Sequence, residues 1–545
     1  MTKKVAILGG GIAGLSAAHE LIERGFDVEV FERRALLGGK ARSMGVEGSA
    51  TGGRHELPGE HGFRFFPSFY RHLKDTMKRI PYGSNPDGVF DNLVATTQVL
   101  IARAEAAELT LPAELPDDLV GWSALFGTWF GNDLGIPPDE MNFFIDRMLT
   151  IMTSCQERRI GEYDDISWWD FIDAESKSQS YRDFLGRGLT RSLVAMKAEK
   201  SSARTIGNIY VQMMLGLASP WLDVDSLLDG PTNEVWIDPW VEYLKQRGVN
   251  MVSETSVDAI ECDGERITGV RASGAQGGFD ITADFYIAAL PVEVMISLMT
   301  PEVREGAPSL EHLERLETNW MNGIQFFLDR DVRMAHGHAI FINSEWALTS
   351  VSQCQFWADV DLSRYGDGDV DGILSVCISD WDSEGILHNK PARECTPQEI
   401  KEEVWAQLEA HVNDDARPDL DAANILSWHL DPAIDYPDPN APGAAINAEP
   451  LLINTVGSLK YRPEANTDIA NFFVASDYVR THTDLATMEA ANEAARRAVN
   501  GILELSPGEH PVCEVWEFEE PAVFTPMKAY DRLRFELGLP HSSLP

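Results

Sequence analysis

Three glycines, Gly9, Gly11 and Gly14, stand at the G-x-G-x-x-G spacing, and an acid, Glu32, follows about twenty residues later. Glycines in that order let a backbone turn tightly and bring bare amides at a helix start close to a pyrophosphate. A side chain at Gly11 would block that approach. A carboxylate at position 32 can accept both hydroxyls of an adenosine ribose and repels a 2′-phosphate. The pattern predicts a dinucleotide site, for NAD or FAD. Glycine-rich turns also serve ordinary strand-to-helix junctions, so the prediction depends on the elements around them.

Residues 5–8 are continuously apolar and read as a buried strand, and residues 28–31 read as a second one. Between them Leu15, Ala18 and Ile22 recur at helical spacing and would face a sheet. Gly25 stands where a left-handed helix end is least strained. Strand, glycine turn, helix, strand and acid is the order a dinucleotide fold requires. The next loop, ALLGGKARSM, sets Gly38 and Gly39 to pack against the first turn and Arg42 to reach a phosphate, which favours FAD.

The chain has 545 residues, enough for two interleaved domains and a substantial core. Asp plus Glu number 86 against 45 Lys plus Arg, a net charge of −41. A field of that sign opposes phosphate backbones and anionic headgroups, so nucleic acid is not an expected partner. Six scattered cysteines, without a C-x-x-C pair, read as buried thiols, and no metal-ligand spacing occurs. The opening MTKK leads at once into the first strand, and no apolar run reaches the length of a membrane span. The expectation is a cytoplasmic protein, with peripheral membrane contact as an option. Oligomeric state is left open.

GGGIAGLSAAHEL, Glu32 and GGKARS resemble the opening of the flavin amine oxidase and phytoene desaturase superfamily. NFFVASDYVRTHTDLATMEAANEAARRAVNGIL is similar to that superfamily's closing flavin motif. The resemblance implies an α/β fold: a Rossmann-type FAD-binding domain interleaved with an α+β substrate domain, the FAD held non-covalently. The FAD domain is expected from residues 1–88, 230–300 and 441–505. The substrate domain, with a helical insertion, is expected from 89–229 and 301–440, and 506–545 is a C-terminal extension, either a docked helix or an interaction arm.

The same resemblance sets Ile12, Ala13, Arg33, Gly39, Lys40 and Ala41 beside the cofactor, with Val257 and Ala289 at the adenine side. In GEHGFRFFPSFYRHL, Gly62 gives close backbone approach to the ring, with His61, Phe63 and Arg64 next to it. Asp477 would bind the ribityl or pyrophosphate portion, and the backbone around Thr487, Met488 and Glu489 would face the pyrimidine edge. A helix start there stabilises the negative charge of a reduced flavin. Ser476 departs from the pattern, since relatives usually have glycine. His482 and Asp484, between Asp477 and Met488, are the protic groups this arrangement sets nearest the ring, followed by His61 and Arg64. Each also has a structural reading: loop hydrogen bonding for His482 and capping of the following helix for Asp484.

Amine oxidases of the superfamily usually carry a lysine on a strand near the ring; the similar strand here, NWMNGIQFFL, has none. That favours the desaturase-like branch and removal of hydride from a lipophilic substrate such as an isoprenoid, carotenoid or fatty acyl chain. An oxygen-dependent amine oxidase and a flavin-dependent double-bond isomerase are the alternatives. A prenyl-binding escort protein without flavin would not need both the ribose-binding acid and the closing motif. Residues 89–228 are rich in aromatic and Met side chains, among them Trp122, Phe126, Trp129, Phe130, Trp168 and Trp169, which suits core packing and a pocket for an elongated greasy molecule. Residues 54–79 hold Arg54, Arg64, Arg71, Lys74, Lys78 and Arg79. That cluster reads either as an anion or membrane contact or as a solvated, paired face.

Overall fold

The computed structural model describes residues 2–104, 108–112, 134–218, 224–412, 420–438, 443, 445–506, 508 and 510–542. Trp122, Phe126, Trp129 and Phe130 lie outside them. A five-stranded parallel sheet runs in the order Phe472–Val474, Phe285–Ala288, Lys4–Leu8, Asp27–Phe31, Asn250–Val252. Val5, Ala6, Ile7 and Leu8 are all fully buried, as a central parallel strand covered on both faces must be. Helix Ile12–Glu23 follows directly and ends at Gly25, whose φ of +81° is the left-handed conformation expected there. The two strands each begin one residue before the sequence-based boundary, at Lys4 and Asp27.

The closing helix Met488–Leu505 packs along Ile12–Glu23. Asn492 Nδ2 donates to Ser16 Oγ at 2.8 Å and to Thr76 Oγ1 at 2.9 Å, joining it to both the first helix and the short helix His72–Lys78. Glu489, one turn earlier, engages the start of that short helix. Its carboxylate accepts from the amides of Arg71, His72 and Leu73 at 2.8–2.9 Å and lies 2.7 Å from His72 Nδ1, satisfying the orphan donors at the start of that helix.

A second sheet of seven strands has the order Ile425–Leu430, Asn322–Leu328, Gly372–Ile378, Thr349–Ser352, Gly337–Phe341, Gln98–Ala102, Leu109–Pro112. Every described pairing is antiparallel except that of Gly337–Phe341 with Gln98–Ala102. Alternation along the strands sorts its residues: Ile324, Phe326, Leu374, Val376, Ala339 and Phe341 share an apolar core with Trp405 of helix Pro397–Val412. Phe326 meets Trp405 edge to face at 4.9 Å.

Helices Pro138–Thr153 and Ala203–Ala218 belong to the region between the two sheets' strands in sequence, where Trp168 stacks on Tyr210 at 5.1 Å. The C-terminal extension carries helix Thr525–Glu536, docked on this region. Asp531 accepts from Arg158 Nε at 2.9 Å and from the Cys155 amide at 2.9 Å, all three residues being buried. Of the two readings of the tail, the docked helix is the one observed. Among the described residues no helix is long and apolar enough to cross a membrane.

Candidate functional site

The first strand ends at Leu8, and the amides that would continue it are freed by a turn only glycine can make. Gly9 has φ +106°, and a Cβ there would collide with the Ala289 carbonyl. A Cβ on Gly39 would sit 2.9 Å from Gly11 Cα, so the second glycine loop and the first turn touch backbone to backbone. Gly11 itself is different. A Cβ there would stand in ordinary contact with Gly39, 3.6 Å from its Cα and 3.9 Å from its amide nitrogen. Glu32 ends the second strand, its carboxylate held by the amides of Gly10 at 2.8 Å and Arg34 at 3.0 Å.

These residues line one cavity of about 570 Å³. Its wall includes Gly9, Gly11, Ile12, Ala13, Glu32, Arg33, Gly39, Lys40 and Ala41 from the N-terminal part, and Val257 and Ala289 from the middle. Asp477, Thr487 and Met488 of the closing motif line the same cavity, as do His61, Gly62, Phe63 and Arg64. Thr487 caps the closing helix, accepting from the Ala490 amide at 3.1 Å, so the helix start is aimed at the cavity with its positive end.

Four sequence expectations are corrected. Gly14 does not line the cavity: a Cβ there would strike the Gly9 carbonyl, so this glycine serves close packing of helix on strand. Arg42 also lies outside the lining, buried against Glu449 with Nη2 to Oε2 at 3.1 Å. His482 is not in the wall either; its amide donates to Glu493 at 2.8 Å, and burial pushes its imidazole below the ordinary range. Asp484 neither lines the cavity nor caps the helix, since the cap is Thr487. With φ +45° and almost no exposure, it is bound by Arg204 and Arg462 and accepts from Thr205 Oγ1 at 3.0 Å. The basic groups of residues 54–79 are also engaged: Arg79 with Glu20, Glu23 and Asp75, Lys78 over the Phe90 ring at 4.2 Å, Lys74 buried.

Glu449 is the main residue that the sequence concealed. It lines the cavity and gathers Arg34, Arg42 and, at 3.6 Å, His61. Burial alone would raise its carboxyl, but Arg42, His61 and Arg34 outweigh that and hold it down at about 2. His61 is thereby set between two carboxylates, since its Nδ1 also lies 2.7 Å from Asp431. Burial raises Asp431 as well, and the facing imidazole, with donors from Ala433 and Asn322, brings it below the usual range. Among the described residues, nearby Glu60 has a single cation in range, Arg64, whose Nε lies 3.7 Å from Oε2. Burial, only partly offset by Arg64 and Thr232, lifts it to about 7. An acid in AINAEPLLI, outside any regular periodicity, gave no sequence signal of its role.

The model of flavin containing amine oxidoreductases matches residues 12–503. The chain belongs to that family. Two relatives from the cyanobacterium Synechococcus elongatus are each 23% identical to it: a probable zeta-carotene desaturase, matched over 92% of this chain and 98% of its own length, and a 15-cis-phytoene desaturase, matched over 92% and 96%. Among solved structures, putrescine oxidase bound to putrescine superposes with a TM-score of 0.60 at 14% identity, covering 92% of this chain and 99% of that one, a likeness of fold. The family member described here is thus an FAD-dependent oxidoreductase, and the residues present suit that cofactor: the turn at Gly9 and Gly11, Glu32 and the capped start of the closing helix all line one cavity.

Proposed function

We propose that the protein desaturates a lipophilic isoprenoid, binding FAD through the cavity-lining residues named above. The single observation that carries this reading is the apolar part of the cavity's wall. Besides the residues named above, the wall includes Phe69, Leu193, Val194, Met196, Ile209 and Met213, side chains that accept an apolar chain without asking for charge. The relatives' names, desaturases of zeta-carotene and phytoene, agree with such a substrate.

The bound flavin supplies a hydride acceptor. The chain's own residues supply placement: Gly11 and the Gly9 turn leave room for the phosphates, Glu32 accepts the ribose hydroxyls, and the capped start of the closing helix faces the anionic edge. Gly62 brings backbone rather than side chain toward the ring face, and the apolar wall excludes water from the carbon being oxidised. His61, 2.7 Å from Asp431 and 3.6 Å from Glu449, and Arg64 are the protic candidates that stand in the wall.

Anaerobic mixing of the yellow holoprotein with detergent-dispersed phytoene or with putrescine tests the reading. Bleaching of the flavin band by phytoene and indifference to putrescine are expected. The reverse outcome would assign the protein to amine oxidation.

A further inference from the structure

Three strands of the seven-stranded sheet bring polar side chains to the cavity wall. Thr349 is paired directly with Cys377, and Ile340 with Thr349, so all three share a face; His338, two residues before Ile340, is on it too. Their neighbours Ala339, Phe341, Val376 and Ile378 go to the opposite, apolar core. His338, Thr349 and Cys377 all line the cavity.

The surroundings of this face do not explain its polarity. The His338 ring has Phe63 and Phe65 as neighbours, each 5.1 Å away between centroids. His338 is 6% exposed and Thr349 1%, yet among the described residues neither His338 Nε2 nor Thr349 Oγ1 has a hydrogen-bond partner. A buried polar atom left unmet is destabilising, and most such atoms in folded proteins are matched. Val, Leu or Phe at these positions would fit a wall meant for hydrocarbon alone.

We propose that the substrate carries a neutral oxygen function, a hydroxyl or carbonyl on an otherwise apolar isoprenoid, and that His338 and Thr349 bind it. This inference rests on the isoprenoid reading above. Burial alone pushes the His338 imidazole down to about 4, so it is neutral near pH 7 and no charged group acts on it. A neutral imidazole and a hydroxyl can each match an oxygen that donates or accepts, whereas an anionic headgroup would find no counter-charge here. Gly62 lies over the same face, a Cβ on it falling 3.2 Å from Cys377 Sγ, so the bound oxygen would fix how the chain lies against the segment expected to cross the ring.

Dissociation constants read from perturbation of the flavin spectrum, with no turnover needed, test the proposal on the holoprotein. The probes are phytoene and its 1-hydroxy and 4-keto derivatives. At least one oxygenated probe should bind about tenfold or more tighter than phytoene. Thr349→Val, which keeps the shape, and His338→Phe should each remove about tenfold of that preference, with phytoene's constant and flavin content unchanged; Thr349→Ser should retain it. Equal binding of all three probes, or variants that weaken them all alike, would overturn the oxygen subsite while leaving the isoprenoid reading intact. A flavin spectrum that none of the probes perturbs would bring down both.

Discussion

A carboxylate acts according to what faces it, and this cavity holds contrasting cases. Glu32 faces amides and, in the proposed role, ribose hydroxyls. Glu32→Ala should weaken FAD binding by about 1.5–3 kcal/mol per charged hydrogen bond lost, read by titrating apoprotein with FAD. Gly11→Val should abolish flavin retention, while Gly11→Ala, whose Cβ meets Gly39 at an ordinary 3.6 Å, should keep the fold; a fully yellow Gly11→Val variant would contradict the cradle argument. Glu60 is the opposite kind of acid. Its folded pKa of about 7 lies above the ordinary 4.5, so the folded state holds the proton more tightly. The stabilisation this gives is full below about pH 4.5 and is lost as pH rises through 7, by roughly 3 kcal/mol. Glu60→Gln should therefore flatten the fall of Tm between those values. Glu32 was legible because its distance from the glycines is fixed by the fold. Arg42, Asp484 and Glu449 were not, because their partners come from segments far away in the chain and no local spacing encodes them.

At the level of elements, the strands and the two flanking helices could be read from periodicity. Residues 5–8 are continuously apolar, residues 28–31 are apolar apart from Glu29, and Met488, Ala491 and Ala495 repeat at helical spacing. Periodicity says which face is apolar and not which end is capped, so the cap was assigned to Asp484 when Thr487 makes it. The closing helix also restrains its neighbour through Glu489. Glu489→Ala would strip three amides and an imidazole of their acceptor. A loss of about 3 kcal/mol or more in urea unfolding is expected, with flavin release at lower denaturant because Thr487 and Met488 move with it.

For the molecule as a whole, the C-terminal extension had no family pattern to read, and its structure comes from long-range pairing. Asp531 and Arg158 are both buried; without Asp531, Arg158 keeps Glu162 and the Leu539 carbonyl, but its Nε and the Cys155 amide lose their acceptor. Asp531→Ala should free the extension, exposing residues after 505 to limited proteolysis and costing about 1–3 kcal/mol per unmet donor if unfolding is cooperative. An unchanged digestion pattern would mean the apolar contacts of helix Thr525–Glu536 hold it alone. The acidic excess, by contrast, was plain from composition, and members of the basic stretch are engaged within the fold: Arg79 by Glu20, Glu23 and Asp75, Arg71 by Glu519 and Lys78 by the Phe90 ring.

The parallel sheet has a consequence for how the protein is made. Lys4–Leu8 leaves the ribosome first, but one neighbour, Phe285–Ala288, arrives midway, and the edge strand Phe472–Val474 with its helix comes near the end. A nascent chain therefore carries a half-built cradle through most of translation, its apolar strand awaiting a mate. Loading with FAD must await the last stretch of synthesis, and chains truncated ahead of Phe472 should emerge colourless and dependent on chaperones.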